Sequence, residues 1–301
     1  MTENVWQMTS KVGFSAVDLM LVTMSIVLGL NYSVVKIGIV DIMPLNFGAF
    51  RFAIASVILL SLLWFRERNF SIPKGDLGRF VLIALVENTL CQIFFVTGIA
   101  WTTASNSSII LATTPIFVVI FNLILGTEKV KKTVLGGVIL SFIGISLIVF
   151  GGEKPLVLTD QSLLGDLLIL FGTICWSTYT VLSKPLLKHC TPLKLTSLTM
   201  AIGTPLLLLL SIPSISTQKW SSVSTTGWLS LAYFSCLATA ISYVIWYTGV
   251  NRIGSARTAL YYNLITVIAI VIAWISLSES MTPIQIVGAS MIIISLYLAR
   301  R

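Results

Sequence analysis

VTGIAWTTASNSSIILATTPIFVVIFNLILGTE (residues 96–128) and YTGVNRIGSARTALYYNLITVIAIVIAWISLSE (residues 247–279) are two renderings of one pattern. Thr97-Gly98 recurs as Thr248-Gly249, Glu128 as Glu279 and, just beyond, Gly137 as Gly288, each pair 151 residues apart. Upstream, Lys36 matches Lys184 and Pro44-Leu45 matches Pro192-Leu193 at an offset of 148, which fits one small loop deletion. Each half holds five long apolar segments. Five is odd, so the second half must enter a membrane from the side opposite to the first. A duplication with inverted topology is the usual build of a carrier whose site lies between its halves.

Composition leads to the same class. The chain has 301 residues, 56% hydrophobic and 10% charged, with a mean hydropathy of +0.97. A soluble domain carries about 25% charged residues. A bilayer-spanning helix takes roughly 20 apolar residues, and ten such stretches are expected: 16–36, 44–65, 78–98, 104–125, 132–150, 163–184, 192–211, 225–247, 255–276 and 283–299. The expected fold class is therefore an all-α integral membrane protein, with ten transmembrane helices in two inverted five-helix repeats. Residues 1–151 form the first repeat and 152–301 the second. The connections are too short for a separate catalytic domain.

The net charge of +8 is a topology signal. Arg66, Arg68, Lys74, Arg79, Lys129, Lys131, Lys132, Lys184, Lys188, Lys194, Arg252, Arg257, Lys11, Arg300 and Arg301 fall at even-numbered loops or the termini. Odd-numbered loops and their flanks hold Lys36, Lys154 and Lys219. The positive-inside rule then places both termini in the cytoplasm of a multi-pass protein of the cell (inner) membrane, with no nucleic-acid partner needed. Residues 1–15 lack a cleavage pattern, so the first helix is expected to be an uncleaved span. Cys91, Cys175, Cys190 and Cys236 have no disulfide or metal spacing and are read as free thiols.

Charge inside a membrane helix is costly and therefore a functional candidate. Glu87, in ALVENTLCQIFF, sits about nine residues from the inner end of helix 3, roughly 13 Å deep at 1.5 Å per residue. Arg51 sits about seven residues from the outer end of helix 2, roughly 10 Å deep. An Arg51–Glu87 pair, direct or through water, is geometrically open. A mid-membrane carboxylate can bind a cationic substrate or exchange a proton. Its duplicate position is Ala238, so the acid belongs to one half alone. Arg51 either binds a carboxylate and sets the charge of the site, or merely pairs or snorkels. Lys36 is either a gate or anion contact, or a lysine closing a helix against its dipole. Glu128, among lysines, reads as a solvated ion pair.

Uncharged polar and aromatic residues deep in their helices complete the candidate site: Asn31, Tyr32, Asn88, Gln92, Trp176, Tyr179, Tyr243, Trp246, Tyr262 and Asn263, with Tyr247 and Tyr261 beside them. Rings with a few amides suit a small zwitterionic or cationic solute, which ring faces can hold. Helix packing is the alternative use of the same residues. Trp6, Trp64, Trp220 and Trp228, nearer helix ends, read as interfacial anchors. Pro115 inside helix 4 removes one backbone bond and is expected to kink it. No phosphate-cradling Gly-rich loop, metal cluster or nucleophile triad is present in the sequence, so no cofactor and no enzymatic activity are expected. Energy then comes from an ion gradient, from exchange or from the solute gradient.

GLNYSVVKIGIVDIMPLNFGAFRFAIA (residues 29–55) resembles the opening of EamA-type carriers of the drug/metabolite transporter superfamily: Lys36 closes helix 1, Pro44 starts helix 2 and Arg51-Phe52 follows. Ala104-Ser105-Asn106, Thr114-Pro115 and Glu128 resemble the family's helix 3–4 signature, and residues 247–279 its second copy. The resemblance implies two inverted repeats around a central cavity that opens alternately to each side, and export of amino acids or other small metabolites. Leu264-Ile265-Thr266 departs from it where a second proline is usual, and Glu87 lies outside the common pattern. The expected function is thus a secondary transporter working by alternating access, with protons as the candidate coupling ion, the bilayer and a small metabolite as partners, and a monomer or homodimer as its state. A uniporter or exchanger of a nucleotide, sugar or vitamin, and a receptor or scaffold that moves nothing, stay open.

Overall fold

Leu21, Phe52, Phe80 and Ile145 are buried without solvent contact, yet so are Ser25, Asn46, Glu87, Asn88, Asn122 and Thr199, while Phe65, Ile124, Leu123 and Val57 are more than half exposed. Apolar outside and mixed inside is the reverse of a soluble domain, and it suits a surface facing lipid. The computed structural model describes residues 15–73, 75–151, 159–277 and 282–300, excluding the side chains of residues 31–33, 35–37, 104, 105, 270 and 273–277.

The described residues form ten helical rods. They are α1 (Ala16–Asp41), α2 (Pro44–Arg66), α3 (Leu77–Trp101), α4 (in two pieces, Ala104–Leu111 and Thr114–Leu125) and α5 (Lys132–Phe150). In the second half follow α6 (Asp160–Leu186), α7 (Pro192–Thr217), α8 (Thr225–Ile253), α9 (Ser255–Leu277) and α10 (Pro283–Arg300). Eight of them are long and apolar enough to cross a membrane; α1 and α9, of 26 and 23 residues, coincide with the other two expected segments. Side-chain oxygens start many of them. Ser15 and Asp18 form a capping box on α1, Thr159 and Ser162 one on α6, and Thr191 and Ser224 cap α7 and α8. Pro44 and Pro192 occupy first turns, where the missing N–H costs nothing.

Pro115 acts where expected. It sits in the first turn of the second piece of α4, after the break at Ala112 and Thr113. Pro115 cannot donate to the Leu111 carbonyl four residues back, and the Thr114 hydroxyl does so at 2.6 Å instead. That repair lets the break lie among apolar helices. In α9, with Leu264-Ile265-Thr266 at the matching place, the helix is continuous.

A feature unforeseen from sequence is a widened turn in two helices. Val86–Cys91 in α3 and Phe234–Ile241 in α8 are π-helical. Shifted by 151, the first segment overlaps the second, so both copies of the repeat carry the distortion. π turns recur at functional sites, because the extra residue per turn re-aims the side chains around it.

The helix packing exchanges between halves. α3 packs on α6 as α8 packs on α1; α4 packs on α6 as α9 packs on α1; α2 packs on α8 as α7 packs on α3. The pairs α2–α7, α4–α9 and α5–α10 join matching helices. In α5–α10 a Cβ on Gly144 would lie 2.7 Å from the Gly288 carbonyl, and one on Gly288 2.4 Å from that of Gly144. A Cβ on Gly137 would lie 3.0 Å from the Ser295 carbonyl. Contacts 137–295 and 144–288 run antiparallel. Only small residues permit this backbone approach. Antiparallel α2 and α7 meet through Asn46 Nδ2 donating to the Ser214 carbonyl at 2.9 Å, and Ser197 Oγ donating to that of Leu59 at 3.1 Å.

Candidate functional site

Three helices meet at Glu87. The π turn of α3 presents Glu87, which is fully buried, and Gln92 follows in the next turn of the same helix. Arg51 of α2 reaches them from the side, Tyr243 of α8 from the opposite half of the chain. Arg51 Nη2 donates to Gln92 Oε1 at 2.5 Å, Gln92 Nε2 donates to Glu87 Oε1 at 3.2 Å, and Tyr243 OH donates to the same oxygen at 2.6 Å. Arg51 and Glu87 thus come together neither directly nor through water, as their depth left open, but with the Gln92 amide between them. Glu87 Oε2 has no hydrogen-bond partner among the described residues. The Cys91 thiol, four residues on, donates to the Gly172 carbonyl at 3.4 Å.

Two phenyl rings flank the cation. Arg51 Cζ lies 4.5 Å from the Phe52 ring centroid and 4.2 Å from that of Phe234. Ring quadrupoles attract a desolvated guanidinium, and Arg51 is buried between the two rings. Arg51-Phe52 was visible as a sequence motif. Phe234 gave no signal, because its contact depends on the distorted turn of α8.

Aromatic rings cover the other side of Tyr243. Trp176 of α6 is the hub, with ring centroids 5.3 Å from Tyr243, 5.4 Å from Trp246, 6.3 Å from Tyr179 and 6.4 Å from Tyr262. Tyr243 also meets Phe52 edge-on at 6.1 Å, and Tyr179 meets Tyr247 at 5.1 Å. Tyr243 and Trp246-Tyr247 share a face of α8 by three-to-four spacing, as do Trp176 and Tyr179 on α6. Trp246 Nε1 donates to Thr180 Oγ1 at 3.3 Å, while Trp176 Nε1 has no partner among the described residues.

Other candidates bond away from this centre. Asn88 Nδ2 donates to the Thr199 carbonyl at 2.9 Å, holding α3 on α7. Asn263 Nδ2 donates to Ser141 Oγ, between α9 and α5. Tyr179 OH meets Thr199 Oγ1 at 2.8 Å, and Tyr261 OH donates to Asp18. The side chains of Asn31, Tyr32 and Lys36, and all of Glu279, lie outside the described residues. Among those described, no three His, Cys, Asp or Glu side chains gather as metal ligands. The four cysteines are free thiols.

An all-helical fold with an apolar exterior, a buried acid and arginine, and an aromatic interior describes a multi-pass membrane transporter. The EamA-like transporter family model matches residues 15–150 and again residues 163–301, and the chain belongs to that family. It is 27% identical to the uncharacterized transporter YyaM of Bacillus subtilis strain 168, over 93% of this chain and 92% of that protein. It is 29% identical to an uncharacterized transporter of Archaeoglobus fulgidus, over 89% of this chain and 91% of that one. A probable amino-acid metabolite efflux pump of Salmonella typhimurium strain LT2 is 26% identical over 91% of each chain. A solved crystal structure shares the fold, with a TM-score of 0.78 at 14% identity over 94% of both chains. The protein is thus an EamA-family transporter of the cell membrane.

Proposed function

We propose that this transporter moves a small metabolite bearing an amine, an amino acid or related zwitterion, by alternating access through ten spans arranged as two inverted five-helix repeats, 1–151 and 152–301, with both termini cytoplasmic. The observation that carries the reading is Glu87: fully buried, with one carboxylate oxygen unpartnered, beside Arg51 and the rings of Trp176 and Tyr243. An unpaired acceptor in a dry site is expensive, and a substrate ammonium would relieve that cost. Arg51, through its guanidinium, would take the substrate's carboxylate. The name of the Salmonella relative favours an amino-acid metabolite. The exchange of packing partners between halves and the antiparallel Gly144–Gly288 contact support the inverted repeat.

Glu87 is also the group we assign to proton coupling, since a substrate amine and a proton would compete for one carboxylate. The test is uptake of labelled amino acids and amines into proteoliposomes, with and without a pH gradient, for the native protein and Glu87→Gln. The reading expects gradient-driven uptake by the native protein alone. A receptor that moves nothing would show no uptake under any gradient.

A further inference from the structure

We infer that the Gln92 side chain is a built-in stand-in for the substrate, occupying the Arg51–Glu87 gap when the site is empty and leaving it when a zwitterion binds. The inference rests on the assignment of Arg51 and Glu87 as the substrate site. Its ground is the polarity of the bridge. The amide oxygen of Gln92 accepts from Arg51 Nη2 at 2.5 Å, the role of a substrate carboxylate. The amide nitrogen donates to Glu87 Oε1 at 3.2 Å, the role of a substrate ammonium. One acceptor and one donor two bonds apart thus connect a fixed cation to a fixed anion. An α-amino acid carries the same pair three bonds apart and with full charges. Each Gln92 bond has one charged partner, whereas a zwitterion brings a full opposite charge to both Arg51 and Glu87 and adds an ion-pair attraction at each end in a low-dielectric site, so the zwitterion outcompetes the amide.

The neighbours of the bridge explain why Gln92 is the part that yields. Arg51 is held between the Phe52 and Phe234 rings. Glu87 is tied to Tyr243 at 2.6 Å. Among the described residues the Gln92 side chain makes only these two hydrogen bonds, and two rotatable methylenes carry its amide. It therefore keeps an empty site from holding two unpaired buried charges, whose cost would be several kcal/mol per ion. A neutral bridge does this without adding charge. A lysine or glutamate at 92 would leave one end of the gap repelled.

The stand-in and a direct substrate ligand make opposite forecasts. Removing a ligand weakens binding; removing a stand-in strengthens it and opens the gap to small molecules of the same shape. Thermal unfolding of the purified full-length protein in detergent reads this directly for the native protein, Gln92→Ala and Gln92→Met, with glycine, acetamide, acetate or methylammonium added. We expect glycine, then acetamide, to raise the Tm of Gln92→Ala by several degrees more than that of the native protein, with acetate and methylammonium, each half of the pair, doing less. Gln92→Met, which fills the volume without either hydrogen bond, is expected to bind glycine about tenfold more tightly than the native protein. Equal or weaker glycine binding in both variants overturns the inference. Should glycine stabilise Gln92→Ala while no amino acid moves in proteoliposomes, the transport assignment falls and the stand-in survives. Should amino acids move while neither variant gains affinity, only the stand-in falls.

Discussion

The Glu128 carboxylate reaches across from the end of α4 to the start of α9, where its Oε2 accepts from the Ser255 backbone N–H at 2.8 Å and from Ser255 Oγ at 2.9 Å. An acid at a helix N-terminus satisfies an orphan donor and meets the positive end of the helix dipole. Lys184 stands 3.9 Å away and donates to the Val250 carbonyl at 2.8 Å, at the end of α8. A Cβ on Gly254, whose φ is +95°, would lie 2.1 Å from Glu128 Oε1. Glu128 is thus a tie between the halves rather than a solvated partner of the nearby lysines. Removing it with Glu128→Ala is expected to cost about 1 kcal/mol, the usual worth of a helix cap. Gly254→Ala should cost more in the native protein than in Glu128→Ala, since only the clash with the carboxylate is relieved there. Equal costs in both backgrounds, measured by denaturant or thermal unfolding, would remove the tie.

Gly144 and Gly288 each approach the other's carbonyl too closely for any side chain. Gly288→Ala is therefore expected to destabilise by about 1–3 kcal/mol, the range for overpacking. Gly136→Ala, on the same α5 helix but with its nearest neighbour at 3.6 Å, should change stability little. A matching loss at both positions would contradict the close α5–α10 crossing.

The loops sort onto two faces. The connection after α2 meets that after α6, through Thr191 Oγ1 donating to Glu67 Oε1 at 2.6 Å, Lys194 Nζ donating to Asn69 Oδ1 at 3.0 Å and the His189–Asp76 contact at 2.8 Å. The connection after α1 meets that after α7, where the Met43 N–H donates to Gln218 Oε1 at 2.8 Å. Single-cysteine variants in a background free of other cysteines check the sidedness. Asn69→Cys should react with an impermeant maleimide from the cytoplasmic side, and Ser222→Cys from the outside. Labelling of both from one side would overturn the topology.

Much of this was legible in the chain. Apolar runs bounded by Ser, Thr and Pro placed the helix starts within three residues, because capping is a local property, but α1, α7 and α8 run five or six residues past their expected ends, so Lys36 lies inside α1 rather than closing it. Pro115 announced its break for the same reason, and counting turns put Arg51 and Glu87 at similar depths without showing the Gln92 amide between them. What stayed hidden depends on contacts between distant segments. Gln92 and Asn88 are both polar residues of α3, yet one joins the Arg51–Glu87 pair and the other ties α3 to the Thr199 carbonyl; only the widened turn decides which faces where. Phe234 became a partner of Arg51 by that same kind of distortion in α8, which no periodicity of 3.6 residues encodes. Glu128 was read from its sequence neighbours, the lysines, whereas its partner lies 127 residues away.

Glu87 carries the account, and amine counterflow tests it most directly. Proteoliposomes loaded with an unlabelled amino acid, with no pH gradient, would exchange it for external label through the native protein. Counterflow needs substrate binding on both faces but no net proton movement. For Glu87→Gln, with native-like folding checked by thermal unfolding, the account predicts that counterflow falls at least about tenfold, the worth of one charge-assisted hydrogen bond at about 1.5–3 kcal/mol. Counterflow at the native rate in Glu87→Gln would contradict the assignment of Glu87 as the substrate's ligand.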